Sequence, residues 1–179
     1  MNLAGKRIAV LAENLYEDLE LWYPVIRMRE AGAAVTLVGT GTAQTYHGKY
    51  GVPVTVDATA DKVAASDFDA VIIPGGYQPD LLRRHEPVLR FVRDMHEQGK
   101  LVAAICHAGW VLVSAGIVRG KRLTSYFSIK DDMVNAGAQW EDSEVVVDGN
   151  LITSRKPDDL AAFCKAIIGA LSRVRGDVH

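Results

Sequence analysis

The sequence predicts an α/β fold in which a mostly parallel sheet is covered by helices on both faces. Three observations carry this. Apolar runs of strand length alternate with longer amphipathic segments. Ala70–Ile73 and Leu101–Ile105 are apolar at every position, as strands buried on both faces must be. Glycines or prolines stand at several of the junctions, among them Gly32 and Pro74-Gly75-Gly76.

The elements follow in order. Arg7–Glu13 reads as a buried strand. Glu17 to Ala31 reads as a helix with Leu19, Trp22 and Ile26 at helical spacing, acids at its start, Arg27 and Arg29 at its end, and Gly32 as its stop. Ala34–Gly39 is a second strand, and Thr40–Val52 a loop or short hairpin. Ala70–Ile73 is a third core strand. Glu86–Gln98 is a helix with Val88, Phe91, Val92 and Met95 on one side. Leu101–Ile105 leads through Cys106 into a helix from about Ala108 to Ala115, and Ser128–Ala136 is a short helix. Glu144–Asp148 and Leu151–Ser154 flank Gly149-Asn150, a hairpin signal. The last helix starts near Pro157 and runs to about Arg173, with Leu160, Phe163, Ile167 and Leu171 inward.

Composition narrows the function classes. The 179 residues suit a single domain spanning 1–179, with no linker or repeat. A net charge of −2 gives no electrostatic case for nucleic acid or an anionic membrane. Leu101 to Val118 contains no charged residue but reads better as strand plus helix than as a membrane span. Two cysteines make no disulfide framework, and no export signal is recognisable, so a reduced cytoplasmic setting is expected. His47, His85, His96, His107 and His179 show no paired metal spacing, so no metal is expected. Gly39-Thr40-Gly41-Thr42-Ala43 lacks the helix that dinucleotide binding needs, so no cofactor is expected.

Ligands of such sheets sit at the carboxyl ends of the strands. Cys106 stands there, where a strand turns sharply into a helix, as a nucleophile elbow does; it also fits an ordinary buried cysteine. His107 beside it is a candidate base, although adjacent side chains are expected to diverge, so that an orienting acid must come from elsewhere. Glu17 is either a helix-start acid or a carboxyl beside Cys106. Gly75 and Gly76 let the backbone approach a ligand. Asp80 reads as the first acid of a short helix. Cys164 reads as core.

Together, Ala104-Ile105-Cys106-His107-Ala108-Gly109, Pro74-Gly75-Gly76 and Tyr16-Glu17-Asp18-Leu19-Glu20 resemble the ThiJ/PfpI family of the class I glutamine amidotransferase-like superfamily, which includes the Parkinson-disease-linked protein deglycase. Thr124-Ser125-Tyr126, Ile129 to Met133 and Glu144 to Asn150 are similar to its PfpI branch. The resemblance implies a flavodoxin-like three-layer sandwich. It implies Cys106 as nucleophile with Glu17 as its carboxyl partner, and an oxyanion hole from the backbone N–H groups of Gly76 and His107. It implies an acid from a neighbouring subunit, Asp80, orienting the histidine, and Tyr126 near the pocket, where Gly75 and Trp110 are also expected. It further implies a homodimer, in some members a hexamer.

The chain departs from the family pattern after Cys106, where His107-Ala108-Gly109-Trp110 replaces the frequent His-Gly-Pro. It has Asp rather than Glu at 80, and Phe127-Ser128 where the archaeal members have Pro-Gly. The activity implied first is a cysteine-dependent stress-response enzyme acting on reactive carbonyls or glycation adducts. The alternatives are a cysteine peptidase acting on peptides or proteins, with its triad completed across subunits, and a non-enzymatic oxidative-stress sensor working through Cys106 oxidation.

Overall fold

A computed structural model describes residues 2–172. Arg173, the expected end of the last helix, and His179 lie outside them.

The strands are β1 (Arg7–Ala12), β2 (Ala34–Gly39), β3 (Thr45–His47), β4 (Pro53–Thr55), β5 (Ala58–Thr59), β6 (Ala70–Ile73), β7 (Leu101–Ile105), β8 (Arg122–Leu123), β9 (Gln139–Trp140), β10 (Val145–Asp148) and β11 (Leu151–Ser154). The helices are α1 (Asp18–Glu30), α2 (Gln78–Leu82), α3 (Glu86–Glu97), α4 (Gly109–Ala115), α5 (Lys130–Asn135) and α6 (Leu160–Ser172). Seven strands form the main sheet in the order β10-β11-β7-β6-β1-β2-β5. Its neighbours pair in parallel, except that β10 runs antiparallel to β11 across the expected Gly149-Asn150 turn. The Thr40–Val52 region contributes β3, which forms a hairpin with β4.

Strand alternation divides the core into two layers. Ile8, Val10 and Ala12 pack with Leu21, Val25 and Met28 of α1 and Phe163, Ile167 and Leu171 of α6. Ala9 and Leu11 face the other way, with Val88, Val92 and Met95 of α3 and Val111 and Leu112 of α4. The uncharged run from Leu101 is β7, a turn and α4. No helix among the described residues is long and apolar enough to cross a membrane.

The face of α1 differs from the expected one. Leu19 and Ile26 are 59% and 61% exposed, while Leu21, Pro24, Val25 and Met28 form the buried stripe together with Glu20. Positions 21, 24, 25 and 28 follow the i, i+3, i+4, i+7 rule of a helix lying on a sheet, which 19, 22 and 26 match less completely.

The chain leaves β1 for β2 on one side and returns to β6 on the other side of β1. The switch point of the sheet therefore lies between β1 and β6, and loops after β1, β6 and β7 meet at its carboxyl edge.

Candidate active site

Three loops build the site. Residues 13–17 follow β1, Pro74-Gly75-Gly76 follows β6, and Cys106 follows β7. The first two are joined by an antiparallel bridge between Tyr16 and Gly76 and by hydrogen bonds from Glu17 N to Gly75 O (3.1 Å) and from Tyr77 N to Leu15 O (2.9 Å). Leu15 (φ 63°) and Cys106 (φ 62°) hold left-handed backbone, and both lie in this knot. Such backbone is costly for residues with a Cβ and persists only where the surroundings enforce it.

The left-handed turn changes what His107 can reach. Cys106 Sγ lies 3.2 Å from His107 Nδ1, so the neighbouring side chains converge rather than diverge as expected from strand geometry. His107 Nε2 lies 3.1 Å from Ser128 Oγ. The ring stacks on Tyr126 and meets the edge of Trp110. Burial, and after it the positive charge of Lys49, hold His107 below its ordinary pKa, so the ring is neutral at pH 7. The backbone N–H groups of Gly76 and His107 favour the charged sulfur and pull the thiol pKa down against the larger effect of burial.

The carboxyl at the thiol belongs to Glu20, and this corrects the expectation for Glu17. Glu17 caps α1: its Oε2 accepts from Glu20 N at 2.9 Å, the helix-start role of such an acid. Glu20, on the buried stripe, is fully enclosed. Its Oε1 accepts from Gly75 N at 3.0 Å. Its Oε2 has no hydrogen-bond partner among the described residues, and Cys106 stands beside the carboxyl across Gly75. Burial first, then the charge of Glu17, raises the Glu20 pKa to about 8. Burial first, then Glu20, pushes the Cys106 thiol up to about 12. Thiol and carboxyl therefore titrate as a pair that resists carrying two negative charges.

Gly75 is not in the pocket wall, where it was expected. It is wedged behind the thiol: a Cβ there would lie 2.5 Å from Glu20 Oε1 and 2.7 Å from Cys106 Cβ. The pocket, of about 620 Å³, is lined instead by Gly76, Cys106, His107, Trp110 and Tyr126, together with Glu17, Lys49, Tyr77, Lys156 and Pro157. Trp110 is held in the wall by donating to Asp132 Oδ2 at 2.9 Å. Asp80 stands in the first turn of α2, where its partner within the chain is Arg84 rather than His107. Among the described residues no cluster of His, Cys, Asp or Glu could hold a metal ion. Cys164 is buried against the α1 side of the core, as expected.

Glu20, Ser128 and the pocket lysines Lys49 and Lys156 are residues to which the sequence pattern assigned no role. Glu20 had a signal, an acid directly before Leu21 on the stripe that also carries Val25 and Met28. Ser128 had none, since a serine after Tyr126-Phe127 is unremarkable without the ring it meets.

Comparison with known proteins follows this geometry. Residues 6–170 match the model of the DJ-1/PfpI family. A Pyrococcus horikoshii protein named deglycase PH1704 is 45% identical over 92% of this chain and 99% of its own length. The Escherichia coli protein/nucleic acid deglycase 2 is 44% identical over 89% of this chain and 94% of its own. The crystal structure of Drosophila melanogaster DJ-1beta superposes with a TM-score of 0.88 at 33% identity, over 96% of this chain and 91% of that one.

Proposed function

Since the chain belongs to the DJ-1/PfpI family, we propose that it is a PfpI-type deglycase that uses Cys106 against the carbonyl carbon of early glycation adducts or of the free reactive carbonyl. The observation that carries this is Cys106 on a left-handed turn at the floor of a pocket, its sulfur 3.2 Å from the imidazole of His107.

In this reading both members of the pair hold their protons at rest, as their raised pKa values require, and the Cys106 thiol passes its proton to the neutral His107 as the sulfur attacks. The sulfur adds to the aldehyde carbon, and the C=O bond opens to a hemithioacetal oxygen. For an amine adduct, the C–N bond breaks and the amine leaves with a proton. A base then takes the proton from the former aldehyde carbon, and a proton is returned to the adjacent carbon. This converts hydroxyl and ketone into thioester and alcohol without an external oxidant. Water cleaves the thioester to a 2-hydroxy acid and restores the thiol. His107 is the base within reach of the sulfur, and Glu20 is the acid beside it.

Lactate release from a methylglyoxal-modified amine tests the reading. Turnover by the wild type that disappears in Cys106→Ala supports it, and turnover surviving that change overturns it.

Ser128 acts in this scheme as a positioning residue that fixes the ring and tautomer of His107 from within the same chain. One neutral hydrogen bond is worth about 1 kcal/mol. Ser128→Ala is therefore expected to lower kcat by roughly three- to tenfold with little change in KM and to shift the pH profile of kcat, while Ser128→Thr restores both. A serine that matters only for packing would leave the pH profile unmoved.

The homodimer and the cytoplasmic setting belong to the same proposal. The exposed Leu19, Tyr23 and Ile26 on α1 support a second copy covering that face, and two buried free cysteines support a reducing compartment. The peptidase triad gains no support within the chain, where Asp80 is paired with Arg84.

A further inference from the structure

The charges around the Cys106 pocket are uneven. Lys49 and Lys156 both line it, against the single carboxylate of Glu17, which is engaged as the α1 cap. Burial dominates the shifts of Cys106, Glu20 and His107, and the charge of Lys49 partly offsets it at the first two and adds to it at the third. Among the described residues Lys49 makes no ion pair, while Lys156 meets an exposed Asp158 at 3.7 Å, a weak surface contact.

The backbone that carries Lys49 is anchored. Lys49 N donates to Tyr16 O at 2.9 Å. The buried Asp18 accepts from Tyr50 N (3.0 Å) and Val52 N (3.1 Å), and the Tyr16 hydroxyl donates to Val52 O. Gly48 packs directly on the Asp18 carboxylate, with no room for a side chain. The anchoring segment, residues 16–18, is the one that bridges Gly76 beside the thiol. The fold thus uses a buried acid and a buried tyrosine to hold the backbone of Lys49 at the pocket, where its ammonium lies 5.1 Å from the centre of the exposed Tyr50 ring.

We propose that this pocket selects carbonyl substrates bearing a carboxylate, which Lys49 and Lys156 hold while Cys106 meets the carbonyl carbon. The proposal rests on the reading of Cys106 as nucleophile and adds the charge of what it takes. Two ammonium groups against one carboxylate leave a surplus of one positive charge, which a single carboxylate neutralises. A phosphate fits less well, since the wall offers no guanidinium fork.

Alkylation of Cys106 separates this charge selection from turnover. Iodoacetate and iodoacetamide are near-isosteric and attack the same thiolate, so the ratio of their second-order rate constants cancels any change in thiolate population. Mass spectrometry assigns the label to Cys106 rather than Cys164. The iodoacetate-to-iodoacetamide ratio is expected to fall about tenfold in Lys49→Gln/Lys156→Gln, and to decline with added salt in the wild type but not in that variant. Lys49→Arg is expected to keep most of the ratio. A ratio unchanged in the double variant overturns the proposal and leaves Cys106 as nucleophile. If neither reagent labels Cys106 up to pH 9 while Cys164 is labelled on unfolding, the nucleophile reading fails and this one with it.

Discussion

Glu20→Gln is expected to lower lactate release by roughly 10²- to 10⁴-fold, the range for loss of a positioned proton donor, and at the same time to make the protein more stable at alkaline pH. The two effects have one cause. Glu20 is enclosed beside Cys106, with one oxygen bonded to Gly75 N and the other without a hydrogen-bond partner among the described residues. Glutamine keeps the shape and the acceptor for Gly75 but cannot give up or take back a carboxyl proton. It retains the interaction with the fold and loses the exchange with sulfur.

The stability effect has a definite sign. The Glu20 pKa rises from an ordinary 4.5 to about 8 on folding, because burial first and Glu17 second disfavour the charged form. The folded state therefore binds the proton more tightly than the unfolded chain. The resulting stabilisation is complete below pH 4.5 and is lost as pH climbs through about 8. A shift of this size corresponds to a few kcal/mol, on the order of 1.4 kcal/mol per unit. Urea denaturation from pH 4.5 to 9 is expected to show wild-type stability falling relative to Glu20→Gln across the window. Parallel curves would mean that the carboxyl is not held protonated, and the assignment of Glu20 as a protonated acid beside Cys106 would fall.

Much of the architecture was legible because it is written in periodicity. Apolar runs such as Ala70–Ile73 and Leu101–Ile105 have few other places to go than the middle of a parallel sheet. The position of the site followed from the carboxyl ends of those strands. The acid was misplaced by three residues for a physical reason. On α1 the exposed face also carries apolar residues, Leu19, Tyr23 and Ile26, so apolar spacing alone admits two phases, and the wrong one turns Glu20 to solvent. The convergence of Cys106 and His107 lies deeper, since it depends on a positive φ at a residue that ordinarily avoids one.

That strain is imposed from outside, which makes Gly76→Ala the substitution expected to do the most damage to fold and site together. Gly76 holds φ at 82°, and a Cβ there would meet the backbone N of Glu17, the carbonyl O of Leu15 at 2.6 Å and the carbonyl C of Tyr16 at 2.8 Å. None of these atoms is the tip of a flexible side chain, so relief requires the loops after β1 and β6 to separate. Separation breaks the Tyr16–Gly76 bridge and the bonds through Leu15 O, and it moves the loop after β6 away from the turn at Cys106. The expected cost is roughly 3 kcal/mol or more, from left-handed strain plus lost backbone hydrogen bonds. Gly99 provides the comparison: its φ is 69°, but nothing lies within 4 Å of a Cβ built on it, so Gly99→Ala carries the strain alone, about 1 kcal/mol. Urea denaturation of both variants, with the rate of Cys106 alkylation followed in parallel, separates the two contributions. Gly76→Ala should lose both stability and the wild-type alkylation rate, and Gly99→Ala a little stability only. Equal losses in the two would mean that the loops after β1 and β6 can part without penalty, and that the knot at Leu15, Tyr16 and Gly76 does not hold Cys106 in its left-handed turn.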